Sequence, residues 1–254
     1  LQLDGRIIDR AVKWDLGVYF SLNRSKLLVL SEDKDIFGGE LDNTILKDQL
    51  NLMRVGEPMY VFYGYVEDGY DENGHIVYKN MDDDPAITAA DKTIIGDPNP
   101  DFLVNLTTAV SYKGFTLSAF FQSSIGNDIY SLSMAAQAYD YGYNGNTLRE
   151  VYYNHWTPEN PTAKYPNLDQ TSYKMSDRFV YDGSFVRLKN LELAYDVPCA
   201  CNKFIKRARV YVSAQNLFTI TSYPFWDPDI NANGGGSSMI QGVDSYCCLL
   251  YTSP

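Results

Sequence analysis

Residues 101–122 read DFLVNLTTAVSYKGFTLSAFFQ, and this stretch decides the fold. Apolar or aromatic side chains occupy most even positions up to 112, and polar or small side chains occupy most odd ones. The first face carries Phe102, Val104, Leu106, Thr108, Val110 and Tyr112; the second carries Asp101, Leu103, Asn105, Thr107, Ala109 and Ser111. A period of two predicts a strand with one apolar side. Lys113 and Gly114 then predict a tight turn, and the alternation resumes over residues 115–121, so we expect a β-hairpin.

Three further segments show the same alternation. Residues 13–23 carry their apolar face on Trp14, Leu16, Val18, Phe20 and Leu22. Residues 208–215 alternate in the same way, with charged and phenolic side chains on the polar face. Residues 185–195 change phase midway, and a β-bulge near Lys189 and Asn190 explains that change. An all-β, antiparallel fold follows.

The lengths of the connections alternate along the chain. Short turns are predicted at residues 23–25 and 113–114, and a modest connection at 196–198, whereas long segments run to Asn99, over 124–183 and over 221–242. Short turns on one side and long loops on the other are typical of outer-membrane β-barrels. A soluble β-sandwich also mixes loop lengths and stays open as an alternative.

The long segments contain structure of their own. Residues 59–66 and 75–79 are strand-like and flank the turn-rich residues 68–74, so they form either a surface hairpin or two further wall strands. Helical turns are predicted over 131–139 and 147–154, outside the sheet.

Composition excludes several classes of function. The 254 residues include 32 acidic and 21 basic ones, a net charge of −11, so the basic footprint of a nucleic-acid-binding protein is missing. No apolar run reaches the roughly 20 residues of a membrane-spanning helix. His75 and His155 are far apart and neither lies in a zinc-binding spacing.

One acidic stretch has the spacing of a calcium loop. Asn80, Asp82, Asp84 and Asp91 stand at positions one, three, five and twelve of an EF-hand-like pattern, with Ile87 at position eight. Pro85 occupies position six, where the pattern requires glycine. A calcium site at this loop is one hypothesis, and a solvated acidic loop without a cofactor is the other.

Catalytic motifs are missing from the sequence. No Gly-x-Ser-x-Gly motif is present, and no spacing singles out a pair of carboxylates suited to glycoside hydrolysis. We therefore expect no enzyme, with no catalytic, cofactor-binding or metal-binding residues to assign.

Aromatic side chains are concentrated in the long connections. Flat rings with a polar tip can cover a sugar or a peptide, which makes Tyr141, Tyr143, Trp156 and Trp226 the candidates for substrate contact. Packing of such rings within the loops is the alternative. Phe102, Tyr112 and Phe115, at the ends of predicted strands, are interpreted as girdle residues at a membrane interface.

An ordered series of motifs connects the chain to a known family. The series comprises VGEP at 55–58, YGY at 63–65, DK at 91–92, IIGDPNPDF at 94–102, FQS at 121–123, GNDIY at 126–130, WTPENP at 156–161, FVRLKNL at 185–191, RVYV at 209–212, QNLFT at 215–219 and DP at 227–228. In this order they resemble the C-terminal part of SusC/RagA-type TonB-dependent outer-membrane transporters.

The resemblance implies a fold and a function. It implies the C-terminal strands of a 22-stranded transmembrane β-barrel with long extracellular loops that contain short helices. A plug domain and the first strands would lie upstream of Leu1, so the chain is interpreted as a fragment. Such a transporter is a nutrient importer in the outer membrane of a Gram-negative bacterium. Its implied partners are a SusD-like surface lipoprotein, the TonB–ExbB–ExbD complex, outer-membrane lipid and an oligosaccharide or peptide ligand.

The end of the chain departs from the family pattern. Residues 245–254 read SYCCLLYTSP, without alternation, so we expect residues 1–244 to be barrel and 245–254 to be a non-native or frame-shifted tail. The alternative function, from another class, is a secreted β-sandwich module that binds glycans through its loop aromatics.

Overall fold

The computed structural model describes residues 1–32, 34–42, 46–139, 146–198, 208–230 and 239–245. The strands in chain order are β1 (Gln2–Asp9), β2 (Val12–Ser21), β3 (Ile36–Phe37), β4 (Glu40–Asp42), β5 (Lys47–Gln49), β6 (Asn51–Met53), β7 (Val61–Gly64), β8 (Glu67–Tyr70), β9 (Ile76–Tyr78), β10 (Thr93–Gly96), β11 (Phe102–Tyr112), β12 (Phe115–Ile125), β13 (Asp128–Ser131), β14 (Val180–Asp182), β15 (Phe185–Val197), β16 (Ala208–Thr221) and β17 (Val243–Asp244). The helices are α1 (Leu132–Tyr139), α2 (Arg149–Tyr153) and the 3₁₀ turns Ala89–Asp91 and Asp177–Phe179.

These elements form two compact units. The wall unit contains residues 1–23, 100–126 and 183–222, and the loop unit contains residues 24–99, 127–182 and 223–254. Among the described residues, α1 is the longest helix with eight residues, and no helix is long and apolar enough to cross a membrane.

The wall unit is a six-stranded antiparallel sheet in the order β1-β2-β11-β12-β15-β16. Its centre is the predicted hairpin, in which the pairing of β11 with β12 runs without a shift from Phe102↔Ile125 to Tyr112↔Phe115. Lys113 and Gly114 connect the two strands with φ of 48° and 88°. Positive φ at both central residues is the geometry of a type I′ turn, whose twist matches that of the strands. The all-β, antiparallel prediction is confirmed.

The phase change in β15 is a bulge, as predicted. The pairing of β15 with β16 shifts between Leu188 and Asn190, and the pairing of β12 with β15 shifts at the same place. On the neighbouring strand Asn216 has a φ of 50°. The extra residue keeps apolar side chains on one face of β15 on both sides of the shift.

One expectation about the first connections is wrong. The short turn predicted at residues 23–25 does not form, because residues 22–30 have no regular secondary structure. The tight connection lies instead at residues 10–11, between β2 and β1, a strand that the sequence pattern did not single out. Its pairing with β2 shifts between Arg6 and Ile8, and this shift obscures the alternation.

Three long connections leave the sheet at the same end of its strands. They follow Ser21, Ile125 and Thr221, the last residues of β2, β12 and β16. The antiparallel pairing places these three residues at the same end of the sheet, measured along the strands. The connection at 113–114 lies at the opposite end of the strands. The prediction therefore holds for the short turn at 113–114 and for the three long connections, but not for the turn at residues 23–25.

The loop unit consists of short elements around a hydrophobic core. Its sheets have the orders β10-β7-β6-β3, β14-β13-β17, β4-β5 and β8-β9. Phe62, Tyr130, Val151 and Phe179 are among its most deeply buried side chains. The helices α1 and α2 belong to this unit and match the two predicted helical segments.

The strand-like pieces at 59–66 and 75–79 are not wall strands. β7 lies in the four-stranded sheet, whereas β8 pairs with β9 across the turn at residues 71–74. The first long connection therefore folds into its own small sheets.

Candidate functional site

The wall unit has one face that is apolar across all six strands. Paired positions form a row that crosses the sheet at Leu3, Val18, Leu106, Phe121, Leu188 and Phe218. The adjacent row of paired positions contains Asp4, Gly17, Thr107, Phe120, Asn190 and Gln215, and the bulge separates the two rows by two residues on β15 and three on β16. Since neighbouring residues of a strand point to opposite faces, the two rows belong to two chemically different surfaces.

Much of the apolar face is exposed. Leu117 is 47% exposed, Leu193 45%, Val210 64%, Val212 68% and Ile220 65%. A soluble protein rarely exposes so large a contiguous apolar surface, and lipid is a solvent in which it carries no penalty.

Aromatic rings mark both ends of this face. Phe20 and Phe102 stack with ring centroids 5.8 Å apart at one end, and Phe115 and Tyr195 lie 4.4 Å apart at the other. Tyr112, beside Phe115, is 44% exposed and lies under the ammonium group of Lys113. From Phe102 to Tyr112 the strand rises roughly 33 Å, which a tilt of about 40° reduces to roughly 25 Å, the height of the apolar band of an outer-membrane barrel.

The polar face carries a depression of about 500 Å³ over Gly17. A Cβ atom at Gly17 would lie 2.5 Å from Asp4 Oδ1 and from Thr107 Oγ1, so these two side chains pack closely over the glycine. Arg6 Nε donates to Asp15 Oδ1 at 2.8 Å on the rim. Carboxylate, hydroxyl and guanidinium groups line the depression, as is typical of a surface that faces water or a polar partner.

Of the four substrate-contact candidates, the structure describes two. Tyr141 and Tyr143 lie outside the described residues. Trp156 is partly buried and packs on Gly74, where a Cβ atom would lie 2.3 Å from the indole ring. Trp226 is 67% exposed, and its ring lies 5.5 Å from that of Phe225. Trp226 is therefore the more exposed of the two described candidates.

Two exposed aromatic residues on α2 belong to the aromatic side chains of the long connections but were not among the four substrate-contact candidates. Tyr152 and Tyr153 are 62% and 64% exposed, with ring centroids 5.2 Å apart, and Arg149 lies over the ring of Tyr153. Their exposure depends on how α2 packs through Val151, which the sequence alone does not show.

The acidic loop at residues 80–91 uses its oxygens for backbone hydrogen bonds. Asp91 accepts from Met81 N and Thr88 N, each at 2.7 Å, one bond on each carboxylate oxygen. Asp82 and Asp84 accept from backbone N–H groups two residues further on. Hydrogen bonds from Met81 and Thr88 lower the pKa of Asp91. In the described part of the chain, no three His, Cys, Asp or Glu side chains are grouped to hold a metal ion. The calcium hypothesis stays a prediction.

A nearly buried ion pair joins distant parts of the loop unit. Arg178 Nε donates to Glu67 Oε2 at 2.7 Å, and the two side chains are 17% and 10% exposed. Ser176 Oγ donates to Glu67 Oε1 at 2.6 Å, so both carboxylate oxygens are occupied. The pair connects β8 with the 3₁₀ turn Asp177–Phe179.

A second buried carboxylate is surrounded by hydroxyl groups. Asp244 accepts from Tyr223 Oη at 2.6 Å, from Ser133 Oγ at 3.0 Å and from Ser131 Oγ at 3.2 Å. Burial raises the pKa of Tyr223, so the phenol keeps its proton and donates it. These contacts join β17 to β13. Sequence analysis missed them because the partners are far apart along the chain. Residues 246–254 lie outside the described residues, so the expected boundary of a non-native tail stays a prediction.

Comparisons with known proteins identify sequence relatives of the chain. No protein-family model matches the chain. TonB-dependent receptor P3 of Formosa agariphila is 31% identical over 243 residues, which cover 89% of this chain and 24% of the receptor. TonB-dependent receptor SusC of Bacteroides thetaiotaomicron is 26% identical over 236 residues, covering 89% of this chain and 23% of SusC.

Solved structures agree with the sequence relatives. The structure of the RagAB peptide transporter matches 89% of this chain with a TM-score of 0.72 and 26% identity. The RagAB peptide importer in its open-open state matches 95% with a TM-score of 0.73 and 25% identity. The chain spans about a quarter of the length of each of these relatives. The resemblance stated from the motifs is thereby confirmed: over most of its length the chain is similar to TonB-dependent receptors of the SusC/RagA type.

Proposed function

We propose that the chain forms part of the barrel wall and the extracellular loops of a nutrient importer in the outer membrane of a Gram-negative bacterium. The observation that carries this proposal is the exposed apolar face, bounded by aromatic rings and continuous over all six strands. The polar face then lines the lumen, and the loop unit folds on the extracellular side. TonB-dependent receptors among the relatives support the assignment to this membrane.

The implied partners belong to the same proposal. A SusD-like lipoprotein covers the extracellular loops, and the TonB–ExbB–ExbD complex supplies energy through parts of the receptor beyond this chain. The likeness to SusC and to the RagAB peptide transporter supports these partners.

An oligosaccharide is the cargo we favour, with a peptide as the second candidate. Exposed rings such as Trp226 can stack on a sugar face. The likeness to the RagAB peptide importer favours the second candidate. In either case the chain acts as a transporter, since its relatives are named receptors and transporters.

The alternative of a secreted β-sandwich has less support. A sandwich buries the apolar face of one sheet against a second sheet. In the part of the chain that the structure describes, Val210, Val212 and Ile220 on that face are more than half exposed.

Uptake by a deletion strain tests the function. Removing the complete receptor gene should abolish growth on the imported oligosaccharide or peptide, and a plasmid copy should restore it. Growth on a monosaccharide or on free amino acids is the control. Unchanged growth on every oligosaccharide and peptide offered, together with recovery of the receptor in the soluble fraction, would overturn the proposal.

A further inference from the structure

The segment at residues 24–30, which we call the exit segment, combines exposed aliphatic side chains with cations. It reads RSKLLVL and has no regular secondary structure. Leu28 and Val29 are 74% and 76% exposed. Two backbone hydrogen bonds hold the segment at Leu27, whose N–H donates to Glu57 O at 3.0 Å and whose carbonyl accepts from Gly56 N at 2.8 Å. The exposed pair therefore follows a fixed point of the backbone.

The exit segment is positively charged, whereas the chain as a whole is negatively charged. Arg24 and Lys26 are exposed, and neither forms an ion pair within the described ranges of the chain. Residues 22–30 contain no acidic side chain, although the whole chain has a net charge of −11. Two unpaired cations beside two exposed aliphatic side chains are complementary to a surface that is anionic on the outside and apolar beneath.

Chain connectivity places the segment near the end of a wall strand. Arg24 follows Ser21, the last residue of β2, by three residues, so the two lie within roughly 10 Å of each other. The preceding residue, Phe20, stacks on Phe102 at the aromatic end of the apolar face. Aromatic girdles lie at the level of the lipid headgroups. Through its chain connection Arg24 thus lies close to that level.

We propose that the exit segment rests on the outer leaflet, with Arg24 and Lys26 binding anionic lipid headgroups and Leu28 and Val29 inserted at the boundary between headgroups and acyl chains. This inference rests on the proposed function, because it requires the six-stranded sheet to span the membrane. Phosphate groups attract the two cations, and the aliphatic pair loses its contact with water. The exit segment then anchors the start of the first long connection at the membrane surface.

Spin labels on the complete receptor test this proposal. The receptor, with its native cysteines replaced by serine, carries a single label at Val29→Cys and is inserted into vesicles of phosphatidylcholine alone or of phosphatidylcholine and phosphatidylglycerol in equal parts. Met81→Cys is the matched control, because Met81 is also exposed (49%) but lies in the acidic loop. Val212→Cys, on the apolar face, reports insertion of the wall. Collisions with oxygen and with a water-soluble nickel complex measure the depth of each label.

The expected result is a label at position 29 that collides more with oxygen than with nickel in the anionic vesicles, while the label at position 81 does the opposite. The double variant Arg24→Gln and Lys26→Gln should raise the nickel accessibility of position 29 to that of position 81. Added salt should act in the same direction.

Other outcomes overturn the proposal in distinguishable ways. A lipid-exposed label at 212 with a fully water-exposed label at 29 refutes the exit segment as a membrane contact and leaves the importer intact. Protection of position 29 only when the lipoprotein partner is added assigns the surface to that protein instead. If the depth of the label at position 29 changes neither with the anionic lipid nor with the double variant, headgroup recognition is refuted. Nickel accessibility at position 212 refutes the membrane-spanning wall itself.

Discussion

At the scale of single residues, the nearly buried pair of Glu67 and Arg178 sets the clearest expectation. Replacing Glu67 by Gln leaves the guanidinium group without its counter-charge in a site where both side chains are less than one-fifth exposed. Breaking such a pair by removing one partner costs about 3–5 kcal/mol. Hydrogen exchange at the backbone of residues 176–179 should therefore become about a hundredfold faster or more.

The control for this substitution is an exposed pair in the same unit. Lys164 and Glu150 are about half exposed, and their charged groups lie 2.9 Å apart. Lys164→Gln should therefore change the free energy of opening, as measured by hydrogen exchange, by less than about 1 kcal/mol. Equal effects of the two substitutions would mean that the Glu67–Arg178 pair is not screened from water.

Asp91 predicts a pH dependence of the acidic loop. Backbone hydrogen bonds from Met81 and Thr88 lower its pKa below the ordinary value, so the folded loop binds the proton less tightly than the unfolded loop. The stabilisation is complete above the ordinary aspartate pKa and is lost as the pH falls through the lowered pKa. Exchange protection of residues 81–88 should accordingly decrease on acidification below about pH 4.

The substitution Asp91→Asn isolates this carboxylate. An amide offers one acceptor oxygen, so one of the two backbone N–H groups loses its partner. The exchange protection of residues 81–88 should therefore be lower than in the wild type at neutral pH, and it should not decrease further on acidification. Thr88→Ala is the matched control, since it removes a capping hydroxyl but no titrating group. An acid response that persists in the Asn variant would assign the effect to another carboxylate.

At the scale of secondary structure, two neighbouring positions of β11 distinguish the faces of the wall. Leu106 lies in the apolar row and Thr107 in the polar row, near the middle of the strand. Arginine on the lipid face of a barrel costs about 2–4 kcal/mol at the membrane midplane, whereas lumen positions tolerate charge. Leu106→Arg in the complete receptor should therefore reduce the amount of folded barrel, and Thr107→Arg should leave it close to wild type.

Heat-modifiable migration on gels measures that difference, because folded barrels resist unfolding in detergent at low temperature. If both arginine variants folded equally well, the apolar row would not face lipid. If only Thr107→Arg failed, the assignment of the two faces would be reversed.

The elements that sequence analysis identified share a strong local signal. β2, β11, β12, β15 and β16 each alternate over many residues, interrupted by the bulge in β15, because one face is apolar and the other polar. The bulge near Asn190 was also predictable, because a phase shift is visible in the sequence. β1 was not identified, because the register shift between Arg6 and Ile8 interrupts this short strand and leaves no long alternation in the sequence.

The loop unit was harder to predict for a physical reason. Its strands are two to four residues long, and partners such as β13 and β17 are far apart along the chain. Short strands carry no readable period, and their existence depends on long-range pairing. For the same reason, the sequence identified Trp156 as an aromatic side chain in a loop but not its packing on Gly74.

At the scale of the whole molecule, the six-stranded sheet predicts how the isolated chain behaves with lipid. Within the described residues, β1 and β16 each pair with a single neighbour, so each carries a row of backbone N–H and C=O groups without a strand partner. A bilayer offers no water to satisfy such groups, at a cost of several kcal/mol for each one. The apolar face favours lipid, but the two open edges oppose insertion. We therefore expect the 254-residue chain alone to be removed from vesicles by urea, whereas the complete receptor resists extraction. Urea-resistant, heat-modifiable insertion of the chain as a monomer would contradict this expectation, because the two edges would then have to pair with each other.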